Sequence, residues 1–176
     1  MRREKKVLAC VDKSDYAAHV ADYAAWAAAR LAAPIELLHV IDRHPEIAAD
    51  VDRSGSIGVD AQENLLERLS QEEGERSKVI REQGRVFLNH LRSRCETHTG
   101  LQTDTRQRYG QLLATLKEQE SSVAMYVLGR RGESASHTRR DLGRHVEAIC
   151  RQIRRPIMTV TDDFKAPKSI LVAYDG

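Results

Sequence analysis

Cysteine is scarce. Cys10, Cys95 and Cys150 stand far apart and none forms a Cys-x-x-Cys pair, which excludes the usual ligand spacing of structural zinc and the dithiol of a redox motif. An odd, scattered set fits a reducing cytoplasm. Cys10 in an apolar strand pattern and Cys150 on an apolar helix face read as small hydrophobes. An excess of charge of one sign is lacking too: 28 Lys and Arg against 26 Asp and Glu leave a formal charge of +2. That is not the basic balance of a nucleic-acid binder. Aromatic residues make up only 5%, and no basic residues interleave with Tyr23 and Trp26, which therefore read as packing groups rather than base-stacking platforms. Long apolar runs are missing as well. No stretch approaches a membrane-spanning helix, and the apolar segment between Lys6 and Asp12 is too short for a signal peptide.

What remains is a chain of 176 residues, 41% hydrophobic and 31% charged, the profile of one globular domain with a substantial core. Val7 to Val11 reads as a buried strand ending at Asp12, after which Lys13-Ser14-Asp15 supplies a helix N-cap. Val20, Ala24, Ala27 and Leu31 recur at helical spacing in an alanine-rich segment that Pro34 stops. Ile35 to Asp42 is a second strand, again ending in an acid. Arg43 to Asn64, with Pro45, Gly55 and Gly58, reads as a long loop containing His44. Beyond it Leu65, Leu69, Ile80, Phe87, Leu88, Leu91 and Cys95 mark a helix with a mixed-charge, solvated face, which Gly74 is placed to interrupt. Leu101 to Tyr109 is a polar strand suited to a sheet edge. Gly110 opens a short helix carrying Leu112, Leu113 and Leu116. Val123 to Leu128 is a fourth strand, Leu142 to Ile153 a helix ended by Pro156, and Ile157 to Thr161 a fifth strand.

The chemistry-bearing stretch follows the fourth strand. An apolar run without polar alternation suits a strand covered on both faces, and here it breaks into Gly129-Arg130-Arg131-Gly132 before Gly143-Arg144-His145 opens a helix. Glycines let backbone N–H groups approach an anion, and a helix N-terminus favours phosphate. Arg130, Arg131, Arg139, Arg140 and Arg144 add positive charge.

These residues resemble the glycine motif of the universal stress protein family: Gly, two residues, Gly, nine residues, then Gly and a small hydroxyl residue. Gly129 and Gly132 match, Gly143 follows after ten residues, and Arg144 stands where the hydroxyl residue is expected. Val11-Asp12-Lys13-Ser14 and His39-Val40-Ile41-Asp42 resemble the family's first and second strand signatures. The resemblance implies an open, doubly wound, Rossmann-like α/β fold with a five-stranded parallel sheet in the order 3-2-1-4-5. It implies an adenine nucleotide (ATP, ADP or AMP, with or without Mg) held by Asp12 and Val40 at the adenosine end. Leu128 and Gly129 would lie along base and ribose, and Gly132, Gly143, Arg144 and His145 at the phosphates. It further implies a cytoplasmic stress-response protein that forms a homodimer through Ile157 to Thr161, with no nucleic acid or membrane partner. The alternative is a nucleotide-free dimeric scaffold with a degenerate glycine loop.

No catalytic constellation stands out. Ser134, Ser136 and His137 lack an orienting third residue, and Asp12 alone does not make a metal site, so at most slow ATP hydrolysis is expected. Finally, Lys168-Ser169-Ile170-Leu171-Val172-Ala173-Tyr174-Asp175 repeats the form of Lys5 to Asp12. Residues 1–163 are read as one universal stress protein domain, and 164–176 as a linker and first strand of a second repeat in a tandem arrangement. The tail is expected to be disordered, or to pair with a sheet edge or another molecule, rather than to fold into its own sheet's interior.

Overall fold

The computed structural model describes residues 5–41, 59–130, 144–161 and 163–173. Five strands form one parallel sheet: β1 (Lys6–Cys10), β2 (Ile35–Ile41), β3 (Thr103–Tyr109), β4 (Val123–Gly129) and β5 (Ile157–Val160). Their order is β3-β2-β1-β4-β5, as the family resemblance implies. The helices between them are α1 (Ala17–Leu31), α2 (Val59–Thr99), α3 (Leu112–Gln119) and α4 (Arg144–Gln152).

The unalternated apolar strands are explained by burial on both faces. One face carries Val7, Ala9, Val11, Ile35, Leu37 and Val127 against α1 and α2. The other carries Leu8, Leu38, Tyr126 and Leu128 against Leu116 of α3 and Ile149 and Ile153 at α4. Polar β3 pairs only with β2, at the edge that its sequence suits. Alanine decides how α1 sits. Ala21, Ala24, Ala25, Ala27 and Ala28 are all buried, and their small side chains bring the helix axis close to the sheet. The helix ends two residues ahead of Pro34, where Ala32 turns left-handed (φ 48°) and its N–H bonds to the Ala28 carbonyl.

Several local expectations change. No side chain caps α1: its N-cap is Tyr16, in helical geometry. The turn ahead of it is instead closed by Asp12, whose Oδ1 accepts from the Ser14 N–H at 3.1 Å and from the Ser14 hydroxyl, because a short carboxylate bonds readily to the backbone two residues on. The predicted loop is shorter than its 43–64 span, since α2 begins at Val59 and continues through Gly74 without a break. A single glycine costs a helix only about 1 kcal/mol. Pro45, Gly55, Gly58 and His44 lie outside the described residues. Cys95 is buried with its thiol 3.5 Å from the Ala21 carbonyl, but Cys150 is exposed and not part of the apolar face of α4.

After β5 the chain crosses α1. Phe164 stacks edge-on against Tyr23 at 4.9 Å, and His19 Nε2 lies 3.2 Å from Asp163 Oδ1. The following segment, up to residue 173, has no helix or strand, and Ile170, Leu171 and Val172 are 86%, 94% and 79% exposed. It takes no place in the sheet.

Candidate functional site

In a parallel sheet all strands present their carboxyl ends at one edge, and ligands settle where successive crossovers leave for opposite faces. Here that point lies between β1 and β4: α1, which follows β1, packs on one face, while α4, which follows β4, packs on the other. Register then fixes which residues meet. Cys10 stands abreast of both Leu38 and Leu128, so Asp12 and Val40 each follow two residues later at the same rim. Gly129 pairs with Val160, and the next N–H, of Arg130, donates to the Val160 carbonyl at 2.7 Å.

The floor of the crevice is apolar and half open. Leu128 is buried, whereas Val40 and Gly129 are partly exposed. Cys10, Val40, Leu112 and Leu113 pack as a partly buried fringe on the α3 and α4 core. The sequence pattern did not bring out Cys10, Leu112 and Leu113 as lining residues, because a strand cysteine and a helix leucine stripe look the same in any core. What places the two leucines is Gly110, whose φ of +135° lets its N–H reach the Ile41 carbonyl at 3.0 Å and sets the start of α3 beside β2; an L side chain is strained in that conformation. The Cys10 thiol is no nucleophile here. Burial, then the negative charges of Asp12 and Glu36, push its pKa well above the usual thiol range, so it stays protonated and lines the floor as a small apolar group.

His39 is a second group whose role the sequence did not reveal. It is buried, its Nδ1 lies 2.9 Å from the Val11 carbonyl, and its ring meets Phe87 edge-on at 5.5 Å. Since a carbonyl only accepts, Nδ1 carries the proton. The imidazole thus ties the end of β2 to the end of β1 beneath the rim, and holds Asp12 and Val40 in step.

Of the sequence-predicted residues, Asp12, Val40, Leu128 and Gly129 gather at this edge. Arg144 opens α4 and His145 beside it is exposed. Gly132, Gly143, Ser134, Ser136 and His137 lie outside the described residues. The residues present fit an adenine nucleotide in kind: a half-buried apolar ledge for a base, exposed Arg130, and a helix amino end, where the dipole favours anions. Among the described residues no group of three or more His, Cys, Asp or Glu is placed to hold a metal ion, and no helix is long and apolar enough to cross a membrane. A shallow cavity of about 300 Å³ lined by Asp15, Tyr16, His19, Thr161 and Asp163 lies at the start of α1. Its two carboxylates make it a poor receiver for phosphate.

Comparison with known proteins bears on the family and the fold. The model of the universal stress protein family matches residues 4–161. A curated universal stress protein of Synechocystis sp. is 31% identical over 173 residues, which cover 98% of this chain and 60% of the relative, so the chain spans about three-fifths of that protein's length. The solved structure of the hypothetical protein MJ0577 superposes with a TM-score of 0.64 at 17% identity, covering 93% of this chain and 99% of that one. A universal stress protein from Archaeoglobus fulgidus, solved in complex with dAMP, gives 0.53 at 15% identity, covering 89% and 98%. At such identities these structures speak for the fold.

Proposed function

Because the chain belongs to the universal stress protein family, we propose that it is a stress-response protein that binds an adenine nucleotide at the carboxyl edge between β1 and β4. The observation that carries this reading is the meeting of Asp12, Val40, Leu128 and Gly129 at one switch point over a half-buried apolar ledge. The dAMP bound by the Archaeoglobus fulgidus protein of the same fold supports the choice of adenine.

In this reading Val40, Leu128 and the Cys10 floor exclude water from one face of the base, and Asp12, held in place by Ser14, orients the adenosine end. Gly132, Gly143, Arg144 and His145 meet the phosphates, with Mg as an optional companion. Arg144 stands at the position where the resembled motif has a small hydroxyl residue, and a guanidinium is able to pair with phosphate through two parallel hydrogen bonds. The nucleotide acts as a regulator, and binding shifts the protein between states only in so far as it favours one of them. The protein is cytoplasmic, and its site is not catalytic beyond slow hydrolysis. As the sheet's edge strand, β5 is the proposed homodimer contact over Ile157 to Thr161. The exposed run Ile170 to Val172 is proposed as the opening strand of a second repeat.

The test is to purify the protein without added nucleotide, denature it, and identify and quantify what is released by chromatography and mass spectrometry. Near-stoichiometric adenine nucleotide is expected, with Gly132→Val and Arg144→Ala reducing the yield. A chain that comes out empty and does not bind ATP with magnesium refutes the reading and leaves a dimeric scaffold with a degenerate loop. Phosphate release abolished by Asp12→Ala would make the protein an enzyme instead.

A further inference from the structure

The chain that leaves β5 comes to rest on α1 at two positions one helical turn apart, His19 and Tyr23. The Tyr23 ring meets Phe164 edge-on at 4.9 Å. Its hydroxyl donates to the Asp163 carbonyl at 3.4 Å and accepts from the Lys165 N–H at 3.3 Å, while His19 Nε2 lies 3.2 Å from Asp163 Oδ1. One tyrosine thus clasps three consecutive residues. Beyond Lys165 the contact stops, and residues 166–173 are all exposed.

Both sides of this clasp grow out of the crevice. Thr161 and Asp163 come just after Val160, whose carbonyl accepts the N–H of Arg130 at 2.7 Å, the residue with which the chain leaves β4. On the other side, α1 starts from the turn that Asp12 closes through Ser14, and the Ala17 N–H bonds to the Ser14 carbonyl at 3.1 Å. Since β4 lies between β1 and β5, docking of the segment spans the end of β4. The shallow cavity lined by Asp15, Tyr16, His19, Thr161 and Asp163 separates the two sides, so the clasp, and not close packing, holds them together there. The clasp is also light enough to open. Tyr23 and Phe164 are only half-buried, the Asp163 side chain is 84% exposed, and both hydrogen bonds are longer than usual.

We propose that residues 163–165 are a latch on α1 whose closing is linked to nucleotide binding between β1 and β4, a linkage that rests on the reading of that crevice as a nucleotide site. The closed latch keeps the end of β5, and with it the first N–H of the glycine loop, in step with the turn that carries Asp12. A nucleotide needs both sides at once, so it binds the closed, preorganised form more tightly. By reciprocity it holds the latch shut. Opening frees the chain that leads to the exposed run Ile170 to Val172, which carries the state of the crevice to the segment beyond the domain.

Five forms of the whole chain test it: the parent, Phe164→Ala, Tyr23→Phe, the two combined, and Leu171→Ser as a control in the tail past the latch. Circular dichroism establishes that each is folded. Affinity for ATP with magnesium is measured by equilibrium dialysis, and opening by hydrogen exchange at the Lys165 amide. Saturating ATP should slow that exchange in the parent. Phe164→Ala and Tyr23→Phe should each speed it and weaken ATP binding about fivefold, the low end of coupling between sites. Because both act on one contact, the double variant should lose less than the product of the two, and Leu171→Ser should change neither quantity. A parent that binds ATP no better than the latch variants do overturns the linkage and leaves the nucleotide reading standing. A Lys165 amide that exchanges as fast in the parent as in Phe164→Ala shows that the latch is not closed, and overturns the proposal without any nucleotide. A parent that binds no ATP refutes the nucleotide reading and the linkage with it.

Discussion

Asp22 and Arg94 hold α1 to α2, and the two ends of this pair should respond unequally to removal. Asp22 is 4% exposed at its side chain and takes both prongs of the Arg94 guanidinium, at 2.7 and 2.8 Å, with His98 Nδ1 at 3.2 Å. Arg94, by contrast, is 38% exposed at its side chain. Arg94→Met therefore leaves a carboxylate sealed in the helix interface with only His98 beside it, whereas Asp22→Ala leaves a guanidinium that can turn into water. Breaking a buried pair by removing one partner costs about 3–5 kcal/mol. His98 puts Arg94→Met near the lower end, ~3 kcal/mol. The loss of net charge-assisted bonds for Asp22→Ala amounts to ~1.5 kcal/mol. With roughly 2–4 °C of Tm per kcal/mol for a chain of this size, the two variants should fall by about 9 and 4 °C. Thermal and urea unfolding, each followed by far-UV circular dichroism at pH 7, measure the shifts in Tm and in stability. The double substitution is expected to cost less than Arg94→Met alone, because it removes the stranded charge. If Asp22→Ala proves as costly as Arg94→Met, or the double variant is the least stable of the three, desolvation of the carboxylate is not what governs this contact.

Other expectations follow from the same geometry. Gly74 sits in the middle of α2 with nothing within 4 Å of where a methyl group would stand, so Gly74→Ala should stabilise the protein by up to about 1 kcal/mol in the same urea assay. The buried Tyr126 hydroxyl donates to the Leu116 carbonyl at 2.8 Å, so Tyr126→Phe, which strands that carbonyl between sheet and α3, should cost about 1–2 kcal/mol. The Cys95 thiol is pushed up from 9.0 to about 12, by burial first and then by Asp22. Because the folded state holds this proton more tightly than the unfolded chain does, the linked stability is complete below pH 9 and is lost as pH rises from about 9 towards 12. Cys95→Ala should flatten that part of the urea-midpoint profile against pH, and an unchanged slope would contradict the assignment. In native protein near neutral pH, exposed Cys150 should react with a maleimide well before Cys95, as peptide mapping would show.

Much of this molecule follows from local pattern. The runs Val7 to Val11, Ile35 to Ile41 and Val123 to Leu128 lack polar alternation because both of their faces are covered, and that signature needs no knowledge of distant residues. The five parallel strands, the alanine stripe of α1 and the polar edge strand could be read for the same reason, and the rim residues Asp12, Val40 and Gly129 followed from where the strands stop. The rest depended on partners far away in sequence. No local signal tells that His39 reaches Val11, that Arg94 reaches Asp22, or that Leu112 and Leu113 join Cys10 at the crevice, since each contact exists only once the crossovers have closed. The start of α1 shows the same limit at short range: Ser14 and Asp15 look like caps, yet Asp12 draws Ser14 into its own turn and the helix begins beyond them. Strand identity was thus set by burial that each segment encodes by itself, whereas caps, pins and ion pairs were settled by which polar groups the finished sheet and helices brought within hydrogen-bonding reach.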